Sequence, residues 1–154
     1  MKDFRVSAEP INSSELQRSL NDAASGACVV FEGWVRDHHE GRAVLRLEYE
    51  VYTPLAEKEG LKIIAEACEL HPFNKAVCIH RSGLLEIGEC AVWVGVSSAH
   101  RDEAFKACRY IIDQAKVRLP IWKKEYYAEG DAEWVNCQRC AEHGARDGQE
   151  LKHA

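Results

Sequence analysis

One long amphipathic segment, residues 97–125, constrains the fold of this chain more than any other feature. Its apolar residues recur at helical spacing and form one stripe: Ala104, Phe105, Cys108, Ile111, Ala115 and Leu119. Pro120 lacks an N–H group and disfavours helical geometry at the residue before it, so we expect the helix to end near Leu119. Lys116 falls on the flank of the stripe, and Trp122, Lys123 and Lys124 follow the proline. The segment predicts a packed helix followed by a short basic stretch.

Residues 101–124 carry seven basic and three acidic side chains, although the whole chain has a formal net charge of −5. A basic region on an acidic protein indicates an anionic small molecule or an acidic partner surface. The alternative is that long basic side chains lie along the helix with their charges in water. The net negative charge argues against nucleic acid as the main ligand.

The length and composition are those of one globular domain. With 154 residues, of which 46% are hydrophobic and 29% charged, the chain can bury a core. No run of 18 apolar residues is present, so no membrane span is expected, and the first residues lack the apolar stretch of a signal peptide. The seven cysteines are an odd number and fall mostly in apolar patterns. We therefore expect reduced thiols and a cytoplasmic protein.

The remaining periodicities predict an α+β domain rather than a parallel doubly wound one. Strands are expected at residues 4–11 and in the sequences ACVVFEGWVRDH, which looks buried, KAVCIHRSG and ECAVWVGVS, which looks central. A further strand should place Leu45, Leu47, Tyr49 and Val51 on one buried face. Asn12 to Glu15 has capping-box spacing and should open a helix closed by Gly26, and Thr53-Pro54 should open another that reaches about Leu70.

The chain is expected to form a single domain over residues 1–136. Apolar periodicity stops at Cys137, so residues 137–154 should form a mobile C-terminal tail. That tail contains Cys137 and Cys140, followed by His143, which is the spacing of half a zinc site or of a redox pair. No second pair of ligands exists, so no metal is expected. His38-His39, between Asp37 and Glu40, is typical of a solvated polar loop.

Two histidine–arginine pairs stand at strand ends, His80-Arg81 and His100-Arg101. The second pair leads into the main helix, where free N–H groups and the positive end of the dipole suit a phosphate. Arg101 can add a bidentate contact. Arg36 ends a strand that carries Phe31 and Trp34, two rings able to flank a planar group. Together these residues indicate a site for a phosphorylated heterocycle.

Lys116 and Lys123 are the candidate catalytic groups. A lysine takes part in proton transfer or attack near neutral pH when burial or neighbouring cations lower its pKa. Each of the two borders apolar residues and has cationic neighbours.

Three segments closely resemble the large, catalytic subunit of molybdopterin synthase: FEGWVRDHHEGRAVLRLEYEVYTPLAEKE, IHRSGLLEIGECAVWVGVSSAHRDEAF and KVRLPIWKKE. The similarity covers about residues 26–135, and its most specific parts are SSAHR and KVRLPIWKKE. It implies an α/β hammerhead-type fold with a mostly antiparallel sheet and flanking helices. It also implies a sulfurtransferase of molybdenum cofactor biosynthesis, which converts cyclic pyranopterin monophosphate into molybdopterin by building its dithiolene.

The resemblance also implies partners and site residues. The sulfur donor is the C-terminal thiocarboxylate of a small ubiquitin-like sulfur-carrier subunit, and the assembly is a homodimer within a heterotetramer. No cofactor, nucleic acid or membrane is implied. The family's substrate-binding positions fall here on Trp34, Val35, Arg36, His100, Arg101, Lys116, Lys123, Lys124 and Glu125, with Lys116 and Lys123 catalytic. The alternative is a non-catalytic adaptor that docks a ubiquitin-like tail, which would need neither lysine.

Overall fold

Three helices and nine strands make up the part of the chain that the computed structural model describes, residues 1–130 and 132–137. In chain order they are β1 (Lys2–Ser7), α1 (Ser13–Ser19), β2 (Ala27–Trp34), β3 (His38–His39), β4 (Arg42–Val51), α2 (Thr53–Leu70), β5 (Lys75–Arg81), β6 (Gly83–Glu86), β7 (Cys90–Ser98), α3 (Arg101–Arg118), β8 (Ile121–Tyr127) and β9 (Ala132–Asn136). The predicted α+β class is confirmed. None of the helices in this described part has the length and apolarity needed to cross a membrane.

The strands form two sheets. The first has the order β1-β5-β7-β2, in which β1 and β5 are parallel and the other pairs antiparallel. The second has the order β3-β4-β8-β9, with β6 also paired to β4, and all of its pairs are antiparallel. The mostly antiparallel sheet expected from the resemblance is therefore present, and β7 occupies the central position predicted for it.

The first sheet is covered on both faces. Because side chains alternate along a strand, Val94 and Val96 of β7 face α2 and α3, while Trp93 packs against Leu20, which follows α1. Helix α2 approaches β1 so closely that a Cβ atom on Gly60 would overlap the ring of Phe4. The close packing of α2 on the sheet thus depends on a glycine inside the helix.

The helix predictions hold at most ends. Helix α3 ends at Arg118 with Leu119 as its C-cap, as Pro120 predicted, and α2 spans Thr53–Leu70. Asn12 caps α1 by accepting a hydrogen bond from the Glu15 N–H. The predicted end of α1 at Gly26 is wrong, since the helix ends at Ser19. Gly26 instead donates its N–H to Ser98, where β2 begins to pair with β7.

Four further expectations about strands and burial are corrected. The first strand covers Lys2–Ser7 rather than residues 4–11, and β2 is a half-exposed edge strand rather than a buried one. Leu45 is 51% exposed because a bulge against β8 inserts it between Val44 and Arg46 and shifts the alternation, so that Val44 is buried instead. Phe105, expected in the buried stripe of α3, is 61% exposed.

Candidate functional site

A cleft of about 100 Å³ lies where the C-terminal end of α3 meets β5 and β8. Its lining residues come from β4, β5, β7, α3, β8 and the residue after β9: Tyr49, His80, Val92, Ile112, Ala115, Lys116, Ile121, Lys123 and Cys137. The two lysines singled out from the sequence therefore share one small cavity. A larger depression of about 730 Å³ beside α1 contains neither of them.

Lys123 is held in the cleft by Glu125. The two residues are two positions apart on β8 and so lie on the same face of the strand. The Lys123 Nζ is 3.1 Å from the Glu125 carboxylate, and the exposed fractions of the two side chains are 16% and 4%. Burial alone would raise the pKa of Glu125, but the hydrogen bond from the Tyr127 hydroxyl and the charge of Lys123 outweigh it and hold that pKa below its ordinary value. Glu125 is therefore ionised at neutral pH.

Lys116 differs from Lys123 in its charge environment. It is exposed in the single chain and lies in the last turn of α3, where the negative end of the helix dipole favours a cation. Within residues 1–130 and 132–137 it makes no ion pair, whereas Lys123 has Glu125. Lys116 thus presents a positive charge that no carboxylate of the described chain neutralises.

The sequence named His80 only as one of two histidines at strand ends, but the structure places it in the cleft with the two lysines. It is buried, its Nδ1 lies 2.8 Å from the carbonyl oxygen of Arg81, and its ring meets that of Tyr49 edge-on with a centroid distance of 5.0 Å. Burial lowers the pKa of His80 to about 4; the charge of Lys116 adds to this effect and the bond to Arg81 opposes it. The only signal in the sequence was a polar side chain at the end of an otherwise apolar strand.

Lys124 does not share the cleft with its neighbours. Because successive residues of β8 face opposite ways, its ammonium lies over the rings of Tyr126 and Trp134, 5.2 and 5.5 Å from their centroids. This places Lys124 on the opposite face of the second sheet from Lys123 and Glu125.

The three candidate residues at the end of β2 differ in exposure. Trp34 is 66% exposed, and Arg36 is exposed as well. The side chain of Val35 is buried, and its N–H and carbonyl are hydrogen-bonded to Glu89 and Gly88. Val35 therefore packs in the core and anchors the backbone between two residues with exposed side chains.

His100 and Arg101 lie far from the lysine cleft within one chain. His100 is the N-cap of α3, and Arg101 is its first residue. Lys116 follows Arg101 by fifteen residues, and at 1.5 Å per residue this corresponds to about 22 Å along the helix. The sequence predicted one site for a phosphorylated heterocycle. Within a single chain, however, His100 and Arg101 lie at the opposite end of α3 from Lys116.

The metal interpretations find no support in the described part of the chain. Among residues 1–130 and 132–137, no group of three or more His, Cys, Asp or Glu side chains could hold a metal ion. Cys140 and His143 lie outside the described residues, as does most of the predicted tail, residues 138–154. His38 and His39 form the short strand β3 rather than a loop, and the turn that follows uses positive φ angles at Glu40 and Gly41.

Comparison with known proteins gives one consistent family. The model of the MoaE protein family matches residues 6–118. The molybdopterin synthase catalytic subunit of a Nostoc species is 39% identical over 142 residues, which cover 92% of this chain and 86% of that protein. The subunit of the same name from Staphylococcus carnosus is 42% identical over 139 residues, covering 90% of this chain and 92% of that protein.

A solved structure agrees with the sequence comparisons. The crystal structure of molybdopterin synthase from Staphylococcus aureus contains a chain that superimposes with a TM-score of 0.82 at 39% identity, covering 88% of this chain and 98% of that one. The fold, the family model and the relatives thus agree over most of the length. The chain belongs to the MoaE family.

Proposed function

We propose that this chain is the catalytic subunit of a molybdopterin synthase. It transfers sulfur from the C-terminal thiocarboxylate of a small ubiquitin-like subunit to cyclic pyranopterin monophosphate, which becomes molybdopterin. The observation that carries the proposal is the cleft in which Lys116 and Lys123 meet. The thiols of Cys28, Cys68, Cys78, Cys90 and Cys108 are free, which supports a reducing compartment, the cytoplasm.

The size and charge of the cleft fit the end of the partner's tail. Its volume of about 100 Å³ is well below the roughly 300–1,000 Å³ typical of sites that enclose a whole small molecule. A glycine thiocarboxylate is narrow and anionic. Lys116 offers such an anion an ammonium without a carboxylate partner in the described chain, while Lys123 remains paired to Glu125.

The two lysines have different roles in the reaction. Sulfur must form a bond to a carbon of the pyranopterin as a carbon–oxygen bond at that carbon breaks and its oxygen leaves. The bond from sulfur to the acyl carbon must then break by attack of water, which leaves a carboxylate on the partner. Negative charge develops on the acyl oxygen during that attack, and a fixed ammonium such as Lys116 stabilises it. Lys123, held by Glu125 at 3.1 Å, is placed to exchange a proton with the reacting groups.

A second copy of the chain would complete the site for the phosphate. His100 and Arg101 are about 22 Å from Lys116 along α3, a distance longer than a pterin monophosphate. An apolar groove of about 360 Å³ runs between edge strand β2 and α3, from Phe31 and Phe105 to Lys116. These rings are 36% and 61% exposed in the single chain, which supports a homodimer that buries them and brings one copy's helix start near the other's cleft.

The adaptor hypothesis makes a different prediction about the lysines. An adaptor that only docks a ubiquitin-like tail needs the cleft but no group able to move a proton. The burial of Lys123 beside Glu125, in the same cavity as Lys116, favours the enzyme, because burying an ion pair without a function costs free energy of desolvation.

Reconstitution with a thiocarboxylated partner and cyclic pyranopterin monophosphate tests the proposal, with molybdopterin as the product measured. Lys116→Ala and Lys123→Ala should each lower the single-turnover rate strongly while partner binding survives, since the protein–protein interface is much larger than one side chain. Lys62→Ala, an exposed lysine of α2, is the matched control and should keep the wild-type rate. Near-wild-type rates for both cleft variants would leave the adaptor as the better hypothesis.

A further inference from the structure

His80 lines the lysine cleft, yet the reaction outlined above assigns it no part. The titratable groups that line the cleft with it are Tyr49 from β4, Lys116 from α3, Lys123 from β8, and Cys137 after β9. A histidine buried in a cleft with two lysines needs a physical reason, because an apolar residue would fill the same space without the cost of burying a polar ring.

The contacts of the ring determine its tautomer. A carbonyl oxygen can only accept a hydrogen bond, so Nδ1, at 2.8 Å from the Arg81 carbonyl, carries the proton. In the neutral ring, Nε2 then carries the lone pair. The edge-on contact with Tyr49 fixes the ring plane at an interplanar angle of 83°. The ring is thus held with a defined acceptor nitrogen on the side away from the Arg81 backbone.

The charges of the cleft explain why an acceptor is useful there. The two lysines are hydrogen-bond donors, and Lys123 already has a carboxylate acceptor in Glu125. No described carboxylate pairs with Lys116, whose long side chain has several rotatable bonds. A neutral imidazole can hold its ammonium without cancelling the charge that the thiocarboxylate requires.

We propose that the Nε2 atom of His80 accepts a hydrogen bond from Lys116 and so positions its ammonium toward the incoming thiocarboxylate. His80 is then a positioning residue that acts through Lys116, and the assignment rests on the sulfur-transfer function proposed above. Arg81 and Tyr49 fix the ring, the ring fixes the lysine, and the lysine stabilises the charge that develops on the acyl oxygen.

Two near-isosteric substitutions separate this role from a purely structural one. His80→Gln places an amide oxygen near the position of Nε2 and keeps an acceptor in the cleft, but it loses the contact with the Arg81 carbonyl. His80→Asn keeps a donor near the position of Nδ1 for that carbonyl, but it removes the acceptor from the cleft. Positioning of Lys116 predicts that Gln retains the rate and Asn loses it, and a role confined to the Arg81 backbone predicts the reverse.

Single-turnover sulfur transfer measures the difference, with the affinity for the small subunit measured separately. His80→Asn should slow transfer about tenfold or more, the effect of one lost hydrogen bond in the transition state, and His80→Gln should stay within about threefold of wild type. Partner affinity should not change in either variant. Equal rates in wild type and His80→Asn, or a larger loss in His80→Gln than in His80→Asn, would overturn the proposal.

A second measurement does not depend on catalysis. Nitrogen NMR of the ¹⁵N-labelled wild-type protein at pH 7 should show His80 as the neutral tautomer with its proton on Nδ1, and a proton on Nε2 would refute the assignment even if both variants fail to fold. Failure of the proposed function is distinguishable, because the wild-type protein would then make no molybdopterin. Failure of this inference alone would leave wild-type activity intact.

Discussion

The buried, neutral state of His80 predicts a measurable dependence of stability on pH. Its pKa is lowered from 6.5 to about 4, mainly by burial. The unfolded chain therefore binds a proton at this residue below pH 6.5, whereas the folded chain does so only below about pH 4. Stability from this group is complete above pH 6.5 and is lost as pH falls toward 4. The full loss is about 3 kcal/mol, and the part lost between pH 7 and pH 5 is about 2 kcal/mol.

Urea unfolding of wild type and His80→Gln at pH 7 and pH 5, at one fixed protein concentration, tests this value. Glutamine does not titrate, so the difference in unfolding free energy between the two pH values should be smaller in the variant by about 2 kcal/mol. His38→Gln is the matched control, since the side chain of His38 is 65% exposed, and it should show the wild-type difference. Equal pH dependence in wild type and His80→Gln would show that His80 is not buried in its neutral form.

Three other substitutions test separate parts of the structure. Arg101→Ala should weaken pterin binding by about 1.5–3 kcal/mol in calorimetric titration if it removes a charge-assisted phosphate contact, and an unchanged affinity would place the phosphate elsewhere. Gly60→Ala should lower the unfolding free energy by about 1–3 kcal/mol, because overlap with the Phe4 ring outweighs the better helix propensity of alanine. Lys58→Ala, on the same helix, should show no such loss. Phe105→Glu should yield monomers in light scattering at micromolar concentration, and a persistent dimer would exclude the groove between β2 and α3 as the interface.

The long helices were predictable because their signals are local. A proline two residues after Arg118 ends α3, and Thr53-Pro54 begins α2, whatever the rest of the chain does. The end of α1 was not predictable in this way. A glycine such as Gly26 can end a helix, but here it lies where β2 begins to pair with β7. The neighbouring residues are compatible with either role for that glycine, ending α1 or preceding β2, and only the strand pairing of the sheet decides between them.

The exposure of Leu45 has a non-local cause of the same kind. Its alternation with Leu47 and Tyr49 is correct for an ideal strand, but Val44 pairs with Tyr127 and Arg46 with Tyr126, so Leu45 is the extra residue of a bulge. The register of β8 creates that bulge, some eighty residues further along the chain. A one-residue insertion changes which face each preceding side chain takes.

The residues of the site show the same difference between local signals, which a sequence displays, and strand pairing, which it does not. Lys116 and Lys123 lie on consecutive elements joined at Pro120, so their proximity followed from a short connection. His80 reaches them only because β5 pairs with β7, and β7 leads into α3. Its position depends on sheet order, which a single sequence does not display. A single chain does not bring His100 to the lysines, since adjacency to a helix does not reveal which end of the helix carries the chemistry.

The charge of the cleft connects these observations to the reaction. Lys116, Lys123 and Glu125 together carry a charge of +1, which one thiocarboxylate neutralises. A protonated His80 would raise that charge to +2, one more than a single thiocarboxylate neutralises. The carboxylate left after sulfur transfer has the same charge as the thiocarboxylate that entered, so the cleft cannot use charge to expel it. Release of the small subunit after sulfur transfer must then depend on the rest of its interface with this chain, because the charge of the cleft binds both forms of the tail equally.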